Sequence, residues 1–262
     1  RPLTYLLCGT SGTGKTFTAE KVAEAMNAYG YSYFYKSLTE FKSEADINKL
    51  IGSPPGYVGN ETEPEFFKKL RESNGKMVVC FDEVDKANER LTESLMQLFE
   101  KGVLSWNNVT GDFSKCIFFL TSNTAMNELV EMKKKYWTED GFEETQEYNN
   151  EFDRILQDNN IPSFIIGRMK KLIFNPLSDD AILDIALQEI KKLGTEKNVS
   201  IEFVAPEVLA EILKHGVGHI EGASEVKKVI MENIMPLLDL YLEKNPIRLR
   251  IVLNENGVSI EN

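Results

Sequence analysis

Eight residues near the start of the chain form a pattern suited to binding phosphate. Residues 9–16 read Gly-Thr-Ser-Gly-Thr-Gly-Lys-Thr, which is the spacing GxxxxGK followed by Thr. Glycines let backbone N–H groups curl around phosphate oxygens, and the N-terminus of a following helix adds partial positive charge. Lys15 would reach the β- and γ-phosphates of a nucleotide, and the Thr16 hydroxyl would ligate Mg²⁺. The predicted nucleotide-binding residues of this loop are Gly9, Thr10, Ser11, Gly12, Thr13, Gly14, Lys15 and Thr16.

Two further apolar runs end in polar residues that could complete this chemistry. Residues 78–83 read Val-Val-Cys-Phe-Asp-Glu, the form of a Walker B segment. Asp82 would bind the nucleotide by holding Mg²⁺ through water, and Glu83 would polarise the attacking water as general base. Asn123 follows a run that ends in Leu-Thr-Ser. It could orient that water, because ligands of parallel sheets lie at the carboxyl ends of the strands. The patterns predict Mg²⁺-dependent hydrolysis of ATP.

A loop with an unusual composition follows at residues 52–59, which read Gly-Ser-Pro-Pro-Gly-Tyr-Val-Gly. Glycine and proline at this density are typical of loops. The pair Tyr57 and Val58 has no obvious role in a core. We interpret it as an aromatic finger aimed at a partner.

The elements that must position these residues are indicated by hydrophobic patterning. Short apolar runs alternate with helical patterns through the first two thirds of the chain, at Leu3–Cys8, Tyr31–Tyr35, Met77–Phe81, Ile117–Leu120 and Ile173–Phe174. Runs that are apolar on both faces and separated by helices indicate a parallel sheet covered on both sides. We predict a three-layer α/β domain over residues 1–175. Within it, Glu139–Asp153 holds seven acids and no Lys or Arg, which favours a solvated, mobile insertion.

A second, smaller domain is predicted over residues 176–262. Ser178 offers N-cap chemistry after Pro176, and the pattern then becomes mostly helical. The predicted helices are Ala181–Leu193, Pro206–His215 and Ala223–Leu242, and a terminal hairpin is predicted from Arg248–Leu253 and Val258–Ile260.

Composition excludes several classes of function. The 262 residues carry a formal net charge of −11, which argues against a grip on nucleic acid. No apolar run is long enough to span a membrane, and the start of the chain is no signal peptide. The three cysteines fit no CxxC spacing, so we expect them to be reduced and buried in a protein of the cytoplasm. Since the chain lacks an initiator Met, it is expected to be a segment of a longer protein.

The order of these motifs resembles that of the Clp-type AAA+ protein unfoldases, and in particular the C-terminal ATPase ring of the ClpB-type disaggregases. Residues 52–59 are the most specific part, and the segment 161–168, Ile-Pro-Ser-Phe-Ile-Ile-Gly-Arg, belongs to the same series. The resemblance implies a P-loop AAA+ domain followed by a small helical lid domain. It also implies a homo-hexamer that uses ATP to thread unfolded or aggregated polypeptide through a central pore.

The resemblance assigns roles to particular residues. Tyr57 with Val58 matches the loop that grips substrate, and Asn123 matches the first sensor. Arg168 matches the arginine finger, which would place its charge at the γ-phosphate of a neighbouring subunit. By residue type alone, Arg168 would more often form a surface salt bridge.

The chain departs from the family pattern in its nucleotide-sensing parts. The family carries Gly-Ala-Arg in the small domain, whereas this chain has Ser224 in the place of that Arg. Either Lys227 or Lys228 substitutes, or coupling between the nucleotide and the small domain is weakened. The family segment that cups the adenine, before the first strand, is also absent.

Two substrate-facing parts depart as well. After Leu104 the family continues with a Gly- and Arg-rich stretch, but here Trp106 follows. Trp106 replaces the usual contacts or packs down locally, and the sequence favours neither. Residues 140–142, Asp-Gly-Phe, stand where peptidase-feeding members carry an apolar docking loop. The leading Asp suits an apolar pocket badly, so no peptidase partner is expected.

The sequence leaves a second function open. The chain could be a nucleotide-dependent switch or scaffold that oligomerises on ATP, turns over slowly and translocates nothing. Ser224 and the altered stretch at Trp106 favour that reading, whereas Glu83 and Tyr57 favour the motor. A nucleic-acid motor of the same class is opposed by the net charge and by the Tyr-Val loop.

Overall fold

The computed structural model describes residues 1–53, 62–138, 141–142, 144–214, 222–242, 248–254 and 257–261. Tyr57, Val58 and Asp140 lie outside these described residues. The chain divides into two compact units: the first comprises Arg1–Gly9 and Lys15–Asn175, and the second comprises Thr10–Gly14 and Pro176–Asn262.

A parallel sheet forms the centre of the first unit. The elements of this unit are β1 (Leu3–Gly9), α1 (Lys15–Asn27), β2 (Ser32–Ser37), α2 (Glu44–Ile51), α3 (Glu65–Glu72), β3 (Met77–Asp82), α4 (Glu89–Lys101), β4 (Val103–Trp106), β5 (Val109–Asp112), β6 (Ile117–Ser122), α5 (Met126–Lys135), β7 (Trp137–Thr138), β8 (Gly141–Phe142), α6 (Gln146–Asp158), α7 (Ser163–Ile166) and β9 (Lys170–Phe174). Five strands pair in parallel in the order β2-β3-β6-β1-β9. These are the five apolar runs that predict the sheet.

Both faces of this sheet are buried. Successive side chains of a strand point to opposite faces, so Leu6 of β1 joins one core cluster while Leu7 joins another. The cluster around Leu7 includes Ala19 and Ala23 of α1. The cluster around Leu6 includes residues of α2, α3, α4, α5, α6 and α7. Helices therefore cover both sides of the sheet, as expected for three layers.

The prediction of a mobile insertion over Glu139–Asp153 is wrong for its second half. α6 begins at Gln146, where the hydroxyl of Thr145 caps the helix by accepting the N–H of Tyr148 at 3.1 Å. Tyr148 and Phe152 are buried. The apolar residues recur at helical spacing and bury one stripe against the core, so the acids occupy the solvent side of an ordinary helix.

The stretch after Leu104 is a hairpin. β4 and β5 pair in antiparallel register, with Leu104 beside Gly111 and Trp106 beside Val109. The indole of Trp106 packs on the ring of Phe67 in α3, with 5.9 Å between ring centroids. Of the two roles left open for Trp106, local packing is the one observed.

The second unit is mainly helical, with a small sheet. After Pro176 its elements are α8 (Asp179–Glu196), β10 (Ser200–Val204), α9 (Pro206–Lys214), α10 (Ala223–Asn233), α11 (Met235–Leu242), β11 (Arg248–Asn254) and β12 (Gly257–Glu261). The predicted hairpin is present as antiparallel β11 and β12, and β10, which was not predicted, adds to it in parallel. The single helix predicted over Ala223–Leu242 is interrupted at Ile234, because Pro236 has no N–H for the helical ladder. No helix in the described part of the chain is long and apolar enough to cross a membrane.

Candidate active site

The carboxyl ends of three strands meet at one edge of the central sheet. Cys8 of β1 lies beside Ser122 of β6, and Phe81 of β3 lies beside Leu120 of β6. Because the strands run in the same direction, the residues that follow them emerge at the same edge. Asp82 ends β3 and Asn123 follows β6. Sequence-predicted residues from separate strands are therefore brought together.

Lys15 is a buried cation at this edge. It begins α1 and is 6% exposed. Its Nζ donates to the carbonyl oxygen of Gly9 at 2.6 Å and to Oδ1 of Asn123 at 2.7 Å. Burial lowers the pKa of Lys15, and the negative charge of Asp82 opposes that effect. An anion bound next to the ammonium group of Lys15 would stabilise its positive charge.

Asp82 is oriented by hydroxyl groups from three elements. Thr16 Oγ1 donates to Asp82 Oδ1 at 3.4 Å, and the Thr121 hydroxyl contacts the same oxygen. The Tyr35 hydroxyl donates to Asp82 Oδ2 at 3.3 Å. Burial, followed by the charge of Asp82, raises the pKa of Tyr35 to about 12, so this hydroxyl keeps its proton. The two predicted Mg²⁺ ligands, Thr16 and Asp82, thus lie side by side.

Tyr35 and Thr121 were missed at the sequence level. Thr121 lies inside the run that ends at Asn123, so the rule that ligands gather at strand ends could have included it. Tyr35 gives no comparable signal, because its role depends on β2 pairing with β3, where it lies beside Cys80.

Glu83 has a strained backbone next to Asp82. Its φ of 59° and ψ of 53° lie in the left-handed region, which is uncommon for a residue with a side chain and costs about 1–3 kcal/mol. The N–H of Glu83 donates to Thr121 Oγ1 at 3.0 Å, and its carboxylate accepts from Lys86 Nζ at 2.5 Å. Thr121 therefore ties the backbone of Glu83 to the carboxylate of Asp82.

The loop between Gly9 and Lys15 contains two glycines in the left-handed region of the backbone. Gly12 and Gly14 have φ of 74° and 95°, values that favour glycine. A Cβ built on Gly14 would meet no atom within 4 Å, so space is open beside the loop. Within the second unit, the N–H of Ala223 donates to the carbonyl oxygen of Gly12 at 2.8 Å. Ser224, the next residue, is exposed.

The donor set fits a hydrated hard cation. None of the described residues belongs to a group of three or more His, Cys, Asp or Glu that could hold a metal. A site built by Thr16 and Asp82 would contribute only a hydroxyl and a carboxylate. That is the sparse oxygen set with which Mg²⁺ is held when phosphates and waters supply its other ligands.

Arg168 is not part of this cluster. In the pairing of β9 with β1, Phe174 lies beside Gly9, whereas Lys170 lies beside Tyr5. Thr4 Oγ1 donates to the carbonyl oxygen of Arg168 at 3.4 Å, which fixes Arg168 near the opposite end of the strand. At about 3.3 Å per residue this is roughly 17 Å from Gly9. The guanidinium instead forms an ion pair of 2.8 Å with Glu100.

Comparison with known proteins identifies the family. The model of the AAA domain (Cdc48 subfamily) matches residues 1–172. The chain belongs to this AAA family. It is therefore a nucleotide-binding module of the ATPase class, as the motifs predict.

Individual relatives confirm the resemblance to ClpB-type AAA+ ATPases. The chaperone protein ClpB of Clostridium tetani is 30% identical over 236 residues, which cover 88% of this chain and 26% of that protein. The human mitochondrial disaggregase is 39% identical over 132 residues, 50% of this chain and 18% of that protein. The chain thus spans about a quarter of the length of the ClpB relatives it matches.

A solved structure shows the same fold. A closed-state cryo-EM reconstruction of Hsp104 with ATPγS and FITC-casein matches with a TM-score of 0.78 and 24% identity, over 100% of this chain and 45% of that one. The predicted fold class, a parallel α/β AAA+ domain followed by a helical lid domain, is confirmed.

Proposed function

We propose that this chain is the ATPase module of a protein-remodelling machine. In the proposal, a homo-hexameric ring hydrolyses ATP with Mg²⁺ and threads unfolded or aggregated polypeptide through its central pore. The proposal depends on one observation, the convergence of Lys15, Asp82, Glu83 and Asn123 at one sheet edge. Two of the relatives are a chaperone and a disaggregase, which supports the choice of substrate.

Nucleotide binding would use the buried charge and the glycine loop. Lys15 is already desolvated, so an incoming phosphate finds a cation that has little water left to lose. Bound Mg²⁺ would neutralise charge on the transferring phosphoryl group. Thr16 and Asp82 would hold that ion, and Tyr35 and Thr121 would keep the carboxylate of Asp82 in its present orientation.

Hydrolysis would use Glu83 and Asn123 on the attacking water. Glu83 would be the general base. Its ion pair with Lys86 restricts the rotation of the Glu83 side chain. Asn123 would orient the same water while it accepts from Lys15. Arg168 would act on the neighbouring subunit, because it lies just before β9, at the end of the strand far from Gly9 of its own chain.

Substrate grip would come from Tyr57 and Val58. Aromatic and branched side chains contact polypeptide of any sequence through dispersion and buried apolar area, which suits a motor with many clients.

The experiment separates grip from hydrolysis. Tyr57→Ala should leave ATP turnover within about twofold and reduce unfolding of a tagged fluorescent substrate by more than about tenfold. Tyr57→Phe should retain most of the unfolding activity. The matched control is Tyr29→Ala, which removes an exposed tyrosine from the turn after the first helix. Undiminished unfolding by Tyr57→Ala would refute the proposal.

One observation favours the switch as a second candidate. Ser224 is exposed on α10 and carries no charge, and Lys228 on the same helix pairs with Glu232 at 4.0 Å. If no cation substitutes at this position, coupling to the nucleotide is weak. The switch predicts ATP-dependent assembly with slow turnover that unfolded protein does not stimulate. The motor predicts stimulation by the same substrate.

A further inference from the structure

Gly52 lies in a tight space between an indole and a proline ring. A Cβ built on Gly52 would lie 2.9 Å from Cγ of Trp106 and 3.0 Å from Cγ of Pro64, and it would lie closer still to Cδ1 of the indole. The φ of Gly52 is 93°, a value that residues with side chains rarely adopt. Only glycine suits both the space and the backbone here.

The backbone of Gly52 is held on two further sides. Its N–H donates to the carbonyl oxygen of Asn48 at 2.9 Å, and Gly52 caps the C-terminus of α2. Its own carbonyl oxygen accepts from Nη2 of Arg90 at 3.3 Å, and Arg90 also forms an ion pair with Glu44 at the start of α2. Gly52 is therefore a fixed point at the end of a helix.

Trp106 is itself anchored in the core. Besides its contact with Phe67, its hairpin is pressed onto α3 at Gly111, where an added Cβ would lie 2.8 Å from Cδ2 of Leu70. Nε1 of Trp106 is buried and has no hydrogen-bond partner among the described residues. The residue thus contributes apolar area and shape at this position rather than a hydrogen bond.

We propose that Trp106 is a positioning residue that fixes the base of the segment carrying Tyr57. Gly52 precedes Tyr57 by five residues, and Pro64 follows Tyr57 by seven. By the base we mean Gly52 and Pro64, the two residues that flank this segment. The indole of Trp106 and the ring of Pro64 both lie against Gly52. If the residues that flank this segment are fixed, a movement of the domain also moves Tyr57 and pulls on the bound polypeptide. If they can rotate freely, less of that movement reaches the polypeptide. The inference rests on the proposed function, because it assigns Trp106 to the grip on polypeptide.

The first experiment tests the contact by itself. Gly52→Ala should raise the equilibrium constant for unfolding of this protein in both the wild-type and the Trp106→Ala backgrounds. The increase should be at least about tenfold larger in the wild-type background. Without the indole the added Cβ meets no clash with it, so only the backbone strain remains. Urea denaturation of the four proteins gives these constants. Equal effects of Gly52→Ala in both backgrounds would overturn the proposed packing.

The second experiment tests the role in substrate grip. The measured quantity is the amount of tagged substrate unfolded per ATP hydrolysed, determined on folded protein. Trp106→Ala should lower it by more than about tenfold, while Trp106→Phe should restore it to within about twofold, since the phenyl ring keeps the packing and the lost N–H had no partner. The matched control is Val109→Ala, which truncates the exposed residue opposite Trp106 in the hairpin.

The outcomes separate this inference from the proposed function. If Tyr57→Ala stops unfolding but Trp106→Ala does not lower the yield per ATP, the positioning role is overturned and the proposed function stands. If Tyr57→Ala still unfolds the tagged substrate at the wild-type level, the proposed function fails. The inference then fails with it, even if the urea experiments show that the effects of Gly52→Ala and Trp106→Ala depend on each other. Loss in both variants with rescue by Trp106→Phe supports both.

Discussion

Replacing Lys15 with Met should separate folding from nucleotide binding. In the wild type, Nζ of Lys15 donates to Gly9 and Asn123 from a position that is almost completely buried. The substitution shortens the unbranched side chain by one atom and removes its charge. The carbonyl oxygen of Gly9 and Oδ1 of Asn123 each lose a hydrogen bond, which costs about 1–3 kcal/mol of stability per acceptor. The substitution also removes the cost of burying a charged ammonium group, the effect that lowers the pKa of Lys15. Because the two effects oppose each other, the free energy of unfolding should fall by less than about 3 kcal/mol.

The effect on ATP binding has no such compensation. Hydrogen bonds to charged groups contribute about 1.5–3 kcal/mol each, and two of them to phosphate oxygens give about 3–6 kcal/mol. At about 1.4 kcal/mol per tenfold, the affinity for ATP should fall by about 10²–10⁴. Isothermal titration calorimetry measures this change, and urea denaturation checks the fold. Lys21→Met is the matched control, since Lys21 lies on the same helix, is exposed and pairs only with Glu24 among the ion pairs of the described chain.

The difference in stability between the wild type and Lys15→Met should depend on pH. The folded pKa of Lys15 is below its ordinary 10.5, so the unfolded chain binds this proton more tightly. The wild type should therefore gain stability relative to Lys15→Met as the pH rises towards 10.5. An ATP affinity in Lys15→Met within about threefold of the wild type would refute the assignment of Lys15 to phosphate.

Three further predictions concern the base, the core and the thiols. Glu83→Gln should bind ATP with an affinity within about threefold of the wild type and hydrolyse it at least about 10²-fold more slowly in a steady-state assay; native turnover would place the base elsewhere. Phe66→Ala should lower the free energy of unfolding by about 3–5 kcal/mol, since Phe66 is fully buried among four other phenylalanines, whereas the exposed Phe17→Ala should change it little; similar urea midpoints for the two would contradict this. Burial raises the pKa of each of the three cysteine thiols to about 12, so Ellman's reagent near pH 8 should react about 10³-fold more slowly with folded than with unfolded protein, and rapid labelling of the folded chain would show that they are not buried.

The sequence predicts the centre of the fold well because the relevant signals are local. Apolar runs marked the five parallel strands, and the residues that follow these runs meet at one edge. That is why the sequence alone predicts that Lys15, Asp82 and Asn123 lie together. Parallel strands leave little freedom, since their carboxyl ends must share an edge.

The elements that sequence reasoning missed depend on distant contacts. The hairpin of β4 and β5 packs on α3, about forty residues earlier in the chain, and β10 forms only because β11 returns beside it. The role of Tyr35 has the same origin, because it exists only when two strands pair. α6 is the exception, since the spacing of Tyr148 and Phe152 was visible and was outweighed by the run of acids.

The central claim, that ATP is hydrolysed between neighbouring subunits, can be tested by mixing two inactive variants. Glu83→Gln keeps Arg168, and Arg168→Ala keeps Glu83. If Arg168 acts on the neighbour, randomly mixed rings contain sites with an intact Glu83 and an intact Arg168, and an equal mixture should recover about one quarter of wild-type ATP turnover. If Arg168 serves its own subunit or no site at all, the mixture will hydrolyse no more ATP than the average of the two variants alone, and the account would be contradicted.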